Sequence, residues 1–140
     1  MSKVLLSLHV LAAVLAVGPV AVAASMFPAA LRKADGELGT VRLLHRICRV
    51  YAVVGVAVPL FGLATASSLG VLGDTWLIVS IALTAVAAVL LAFVILPGQQ
   101  GLLAGTGAGK PLAMTTGLFN LLWAAVTVLM IVRPGSTTGV

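Results

Sequence analysis

The stretch at residues 76–96, WLIVSIALTAVAAVLLAFVIL, decides the fold class of this chain. It contains no charged side chain, and a helix of about 20 apolar residues is long enough to cross the hydrocarbon core of a bilayer. Similar apolar stretches cover residues 4–27, 50–69 and 112–132. With 61% hydrophobic residues, 8% charged residues and a mean hydropathy of +1.25, the chain is too apolar for a water-soluble domain. The sequence therefore predicts an all-α integral membrane four-helix bundle, a single transmembrane domain over residues 1–140.

Basic residues are concentrated between the first two spans. The predicted cytoplasmic loop 28–49 contains five of them, which are Arg32, Lys33, Arg42, Arg46 and Arg49. The next loop on that side adds Lys110, whereas the opposite side carries Lys3 and Arg133. Because short basic loops stay in the cytoplasm, we expect a multi-pass protein of the inner (plasma) membrane with the N-terminus and C-terminus both outside. We expect the first span to be retained, since its apolar run is longer than the core of a secretory signal.

Residues 104–111, AGTGAGKP, resemble the nucleotide-binding loop G-x-x-x-x-G-K-[ST]. The match fails at both ends, where Ala104 replaces the first glycine and Pro111 replaces the hydroxyl residue that holds Mg²⁺. A phosphate-binding loop also joins a strand to a helix, whereas this segment follows a membrane span. We interpret it as a turn closed by Pro111 at the first position of the fourth helix. We predict no nucleotide binding, and we read the net charge of +5 as a topology signal, with no nucleic-acid partner.

Ionisable side chains inside a span are the usual sign of function in a membrane protein. The three Asp and Glu residues lie outside the predicted spans, so we predict no catalytic residue and no enzyme activity. His9 lies inside the first span and has two interpretations. It ligates a haem or a metal, with Met26 or another subunit as partner, or it donates a hydrogen bond to a backbone carbonyl or a hydroxyl. His45 lies about 20 Å away along the membrane normal, so the two rings cannot ligate one haem in one monomer.

The segment 42–51, RLLHRICRVY, predicts an amphipathic helical turn at the inner edge of the second span. Its polar residues recur at the spacing i, i+3, i+4, i+7 and are Arg42, His45, Arg46 and Arg49. Each cation near anionic headgroups contributes about 1 kcal/mol to membrane binding. This face therefore either binds anionic lipids of the inner leaflet or docks an acidic partner.

Small residues recur at i+4 spacing along the third and fourth spans. The stripes consist of Ser80, Thr84, Ala88 and Ala92, and of Thr116, Asn120 and Ala124, the second being continued by Thr127. Such stripes let membrane helices approach closely, so we predict that these two helices pack through them, with hydroxyls and amides bonding across the contact. Asn120 needs a partner, which we expect to be a hydroxyl or a carbonyl freed by a proline. Pro19 and Pro59 predict kinks in the first two helices.

Two stretches together resemble a known family. They are LLSLHVLAAVLAVGP at 5–19, with His9 early in the first helix and Gly18 nine residues later, and RLLHRICRVY at 42–51. The pattern resembles an uncharacterised family of small four-span bacterial integral membrane proteins, distantly similar to the copper-resistance protein D group. The resemblance implies a four-helix membrane bundle. Through the wider group it also implies a haem or copper role for His9 and for His45.

Three functions are consistent with this pattern. The first is a non-catalytic accessory or stabilising subunit of a larger membrane protein complex, for example a lipid transporter or a respiratory assembly, because packing stripes and a basic face accompany an absence of catalytic groups. This hypothesis requires no cofactor. The second is a haem- or metal-binding redox protein that uses His9. The third is a small pore or carrier, suggested by the kinks and by Asn120.

Overall fold

The computed structural model describes residues 2–135, and its regular structure in that range is entirely helical. Four helices are long and apolar enough to span a membrane, namely α1 (Lys3–Arg32), α2 (Gly39–Leu69), α3 (Thr75–Leu103) and α4 (Gly109–Val132). The predicted all-α fold with four membrane-spanning helices is therefore confirmed.

Each helix is longer than the apolar stretch that predicted it. α1, α2 and α3 contain 30, 31 and 29 residues, which corresponds to about 45 Å at 1.5 Å per residue and matches a bilayer including its headgroup layers. The segment 28–49, predicted as a loop, is mostly helical, and the connection between α1 and α2 is reduced to residues 33–38. The predicted spans ended before Pro28 and Pro97 and began after Arg49, but the helices continue past all three residues, and long cationic side chains at a helix end reach water.

Three prolines coincide with changes in helix winding, and one of them, Pro97, follows the π-helical turn Leu91–Ile95 of α3. Ala13–Val17 forms a π-helical turn immediately before Gly18 and Pro19. α2 is interrupted at Gly55 and Val56, shortly before Pro59. A proline lacks the N–H group and its ring clashes with the carbonyl four residues earlier, so the preceding turn unwinds. The backbone is therefore irregular at the two predicted positions.

The bundle has two ends with different charge. We call the end that carries the connections 33–38 and 104–108 the basic end, because six of the eight Lys and Arg residues lie toward it. We call the end that carries connection 70–74, the start of α1 and the end of α4 the terminal end. The two halves of the molecule named after these ends differ in how the helices meet.

At the terminal end, the helices contact one another mainly in pairs. Ser2–Ala12 packs against Ala57–Leu69 of α2, and Thr75–Leu90 of α3 packs against α4. At the basic end, Gly18–Arg32 of α1 contacts both α2 and α4, and α2 also contacts the last turns of α3. All four helices are therefore linked at the basic end.

The main apolar core lies toward the basic end and receives side chains from all four helices. Its buried members are Val20, Ala23, Ala24, Phe27, Val41, Leu44, Cys48, Ala87, Ile95, Leu112 and Phe119. A smaller cluster of Ala66, Trp76 and Leu77 closes the terminal end. Trp76 Nε1 donates a hydrogen bond of 3.1 Å to Asp74 Oδ2, and the Arg133 guanidinium lies 5.4 Å from the Trp76 ring centroid.

The small-residue stripes coincide with the helix contacts only in part. Ser80 and Thr116 are buried, but Ala88 and Ala124 are exposed, because each i+4 step advances about 40° around a helix and a strict i+4 row turns away from its neighbour. The hydroxyls also bond within their own helix. Ser80 Oγ donates to the Trp76 carbonyl at 2.8 Å, and Thr84 Oγ1 donates to the Ser80 carbonyl at 2.7 Å. α3 and α4 do pack together, but these hydroxyls do not bond across the contact.

Candidate functional site

His9 lies where the terminal halves of α1 and α2 meet. Its Nδ1 donates a hydrogen bond of 2.8 Å to the carbonyl of Val58, which fixes the ring proton on Nδ1 because a carbonyl can only accept. The ring lies against Gly62, where an added Cβ atom would come within 2.8 Å of His9 Cε1. Gly62 therefore permits the close approach that the hydrogen bond requires, and the bond to a backbone carbonyl is one of the two roles predicted for His9.

The two histidines lie in different parts of the bundle. Val58, the partner of His9, follows His45 by 13 residues on α2, which corresponds to about 20 Å along the helix. Within residues 2–135, no group of three or more His, Cys, Asp or Glu side chains is arranged to hold a metal ion. A haem or metal at His9 would therefore need a ligand other than His45.

The basic face of α2 consists of three exposed arginines, Arg42, Arg46 and Arg49. The structure separates His45 from them, since only 8% of its surface is exposed. At 100° per residue, His45 lies about 60° from Arg42 on one side and about 60° from the buried Cys48 on the other. Its angular position is compatible with the exposed basic face and with the buried face of α2. A hydrogen bond to Gln99 of α3 places it on the buried face.

His45 belongs to a buried polar cluster with Gln99 and Cys48. His45 Nδ1 donates to Gln99 Oε1 at 2.8 Å, and Gln99 Nε2 donates to Cys48 Sγ at 3.6 Å. Gln99 and Cys48 are fully buried. His45 Nε2 has no hydrogen-bond partner among the described residues. The cluster ties α2 to α3 at the basic end, and we interpret it as the polar component of the core.

Gln99 is the buried residue that the sequence analysis missed. The predicted third span ends at residue 96, so Gln99 fell into a loop, whereas α3 continues to Leu103. The available signal was the Gln pair at 99–100, since an amide one turn beyond an apolar span requires either water or a partner. Gln99 faces the core and Gln100 is exposed, which is the difference expected for adjacent residues on a helix.

Asn120 has the hydroxyl partner that we expected. Its Nδ2 donates to Ser25 Oγ at 2.8 Å, and Ser25 Oγ donates in turn to the Ala21 carbonyl at 2.6 Å. This relay joins α4 to α1 and does not involve α3. Two polar atoms beside it, Asn120 Oδ1 and Thr116 Oγ1, are buried and lack a hydrogen-bond partner within residues 2–135.

The Gly-rich segment forms the connection between α3 and α4. Gly105 and Gly107 adopt φ values of +85° and +87°, a conformation that favours glycine. α4 begins at Gly109, so Pro111 occupies its third position, two residues later than predicted. Pro111 still lies in the first turn, where the missing N–H removes no helical hydrogen bond.

We define the terminal hairpin as residues 3–15 of α1 and 57–69 of α2. None of residues 3–15 is buried, and within 57–69 the buried residues are Thr65 and Ala66. Its outward apolar side chains include Val14, Leu15 and Leu60, which are 60%, 62% and 63% exposed. The His9–Val58 bond and the Gly62 contact hold the two helices together. The terminal hairpin is therefore a thin helical layer with most of its apolar surface uncovered.

No protein-family model, curated protein or solved structure matches this chain.

Proposed function

We propose that this chain is a non-catalytic accessory subunit that packs against a larger membrane protein through its terminal hairpin. The observation that carries this proposal is the contrast between the buried core near the basic end and the terminal hairpin, where Thr65 and Ala66 are buried but most apolar side chains are exposed. The described polar groups also favour a packing role, since the histidines bond to Val58 and Gln99.

Surrounding lipid contributes little to holding the two helices of the terminal hairpin together. Apolar side chains gain little by moving from lipid to a helix contact, so membrane helices associate through close packing and hydrogen bonds. The terminal hairpin has one such hydrogen bond, between His9 and Val58, and one glycine contact at Gly62. A partner that packs on the outward face of α1 and α2 covers the apolar side chains that the hairpin leaves exposed.

The distribution of cations gives the orientation of the chain in the membrane in this proposal. Six cations there and two toward the other end favour a cytoplasmic basic end, with both termini on the outer side of the plasma membrane. Arg42, Arg46 and Arg49 form an exposed cationic face at headgroup depth, where anionic lipids of the inner leaflet bind. The partner complex then contacts the terminal hairpin near the outer side, while lipid holds the basic end.

Gentle extraction tests this function. The tagged full-length chain is purified from its membrane in a mild detergent, and copurifying chains are identified and quantified by mass spectrometry. We expect one stoichiometric membrane partner. Purification of the intact chain alone, with no partner at a fixed ratio, would contradict the proposal.

A haem- or metal-binding redox protein remains the second hypothesis. The Nδ1–H bond to Val58 leaves Nε2 of His9 as the nitrogen for a ligand, and hydrogen bonding of the other ring nitrogen is typical of metal-ligating histidines. The visible spectrum of the same preparation tests it. This hypothesis requires a Soret band that His9→Ala abolishes, whereas an accessory subunit without cofactor is colourless.

A small pore or carrier is the third hypothesis, motivated by the irregular α2 and by Asn120. Asn120 is bonded to Ser25 between α1 and α4, which favours a packing role for this amide. Flux of small solutes into liposomes that contain the chain tests the hypothesis. A flux that Asn120→Leu leaves unchanged removes its main support.

A further inference from the structure

A groove runs along the surface between α1 and α4, from the basic end toward the middle of α4. Its outer part is a cavity of about 310 Å³ between the end of α1 and the start of α4. Its inner part is a cavity of about 140 Å³ that reaches Asn120. Pro28 and Ala113 line both parts, so the two cavities are adjacent along the groove.

The mouth of the groove is positively charged. Arg32 and Lys110 both line the outer cavity, together with Gly109, the first residue of α4. α4 has no acidic residue in its first turn and no side-chain cap, so its N-terminal N–H groups and the positive end of its dipole add to the two cations. This combination is suited to a phosphate group.

The wall of the outer cavity is apolar. It is formed by Leu31, Pro28 and Ala113, and none of the residues deeper in the groove carries a charge. An occupant that enters from the mouth therefore passes two cations, then an apolar wall, and then uncharged polar side chains at the inner end. A free inorganic anion uses the first part only, whereas an amphiphile uses both.

Unpaired polar atoms lie at the inner part of the groove. Thr116 lines it and is only 2% exposed, but Thr116 Oγ1 has no hydrogen-bond partner among residues 2–135. The same holds for Asn120 Oδ1, although Asn120 Nδ2 is bonded to Ser25. Leaving a buried hydroxyl unpaired costs free energy, which an occupant with hydrogen-bonding oxygen atoms recovers.

We propose that this groove binds one molecule of an anionic phospholipid. The phosphate lies between Arg32 and Lys110 at the N-terminus of α4, the glycerol ester oxygens lie inward, and an ester carbonyl accepts a hydrogen bond from Thr116. Thr116 follows Lys110 by six residues, or about 9 Å along α4, which is within reach of a phosphate contact followed by a glycerol backbone. This site is distinct from the basic face of α2 and does not depend on a protein partner.

Native mass spectrometry of the intact chain in detergent tests the site. The chain is titrated separately with phosphatidylglycerol and with phosphatidylcholine, and the bound lipids are counted. We expect one phosphatidylglycerol to bind more tightly than any further molecule and more tightly than phosphatidylcholine. Equal binding of the two lipids overturns the proposal.

Paired variants locate the bound lipid. Ala113→Phe fills the groove without changing charge, and Met114→Phe places the same side chain at the neighbouring position, which is 69% exposed. We expect Ala113→Phe to lose the tight lipid and Met114→Phe to retain it. Retention by both variants, or equal loss in both, contradicts binding in the groove.

Charge and hydrogen-bond variants test the two ends of the site separately. Replacing both Arg32 and Lys110 by Gln should weaken the tight lipid about thirtyfold, whereas Lys3→Gln with Lys33→Gln removes the same charge outside the groove and should leave it bound. Thr116→Val should weaken it about fivefold with no change in charge. Circular dichroism confirms that each variant keeps its helical content. If Thr116→Val binds as tightly as the parent chain, the inner contact is wrong.

Discussion

The two halves of this bundle differ in how their helices contact one another. Toward the basic end, side chains from all four helices bury one another around Phe27 and the His45–Gln99 pair. In the terminal half, α1 and α2 pack against each other around the His9–Val58 bond and the Gly62 contact, but residues 3–15 contain no buried side chain. This difference shows that hydropathy identifies a membrane-spanning segment but does not show whether its side chains are buried in a core. The basic half contains the main core, whereas the terminal hairpin leaves most of its apolar side chains exposed.

The largest expected effect is at Phe27. Phe27 is fully buried, whereas Phe93 is 74% exposed. The same Phe→Ala substitution at the two positions therefore shows the effect of burial on stability. Phe27→Ala should lower the free energy of unfolding by about 3 kcal/mol, because a cavity remains among the helices. Phe93→Ala should change it by less than about 0.5 kcal/mol. Unfolding in mixed micelles measures both variants, and equal losses would mean that the basic half has no core.

The adjacent glutamines provide the second comparison. Gln99→Leu removes the acceptor for His45 Nδ1 and should lower the free energy of unfolding by about 2 kcal/mol, since a buried donor is left unpaired. Gln100→Leu replaces an exposed amide and serves as the control. Adding His45→Leu to Gln99→Leu should recover part of the loss, because both polar partners are then apolar. Additive losses in this double-mutant cycle would contradict the His45–Gln99 bond.

The glycine contact of the terminal hairpin should have an intermediate effect. Gly62→Ala places a Cβ atom 2.8 Å from the His9 ring, and we expect a loss of about 1.5 kcal/mol as the helices move apart. Gly18→Ala is the control, since nothing lies within 4 Å of its Cβ position. Unfolding of the two variants under the same conditions makes the comparison. A stable Gly62→Ala variant would show that α1 and α2 do not approach closely there.

The smallest expected effect is at His9. Hydrogen bonds between membrane helices contribute about 0.6 kcal/mol to stability on average. In the isolated chain, His9→Leu should therefore lower the free energy of unfolding by no more than about 0.6 kcal/mol. The same substitution should reduce recovery of the partner complex after extraction, because the bond sets the spacing of the terminal hairpin. A large stability loss with normal partner recovery would place His9 in the core and not in the docking surface.

Local sequence patterns predicted the helices but not the identity of the buried polar pair. Long apolar runs specify membrane helices, and the all-α fold was therefore predictable. The side of α2 on which His45 lies was not, because its angular position is midway between Arg42 and Cys48 and only the distant Gln99 decides it. A backbone carbonyl was predicted as a partner of His9, but which carbonyl it is was not predictable. The bond to Val58 depends on the close approach at Gly62, which is remote from His9 in sequence.

Site-specific photo-crosslinking tests the central claim that the terminal hairpin docks a partner. A benzophenone amino acid is placed at Leu60 in the terminal hairpin or at Leu121 on α4, two positions that are 63% and 70% exposed at similar distances from the terminal end. After irradiation in native membranes, we predict one discrete protein adduct from Leu60 and none from Leu121. The opposite pattern, or no adduct from either position while the chain remains folded, would contradict the account.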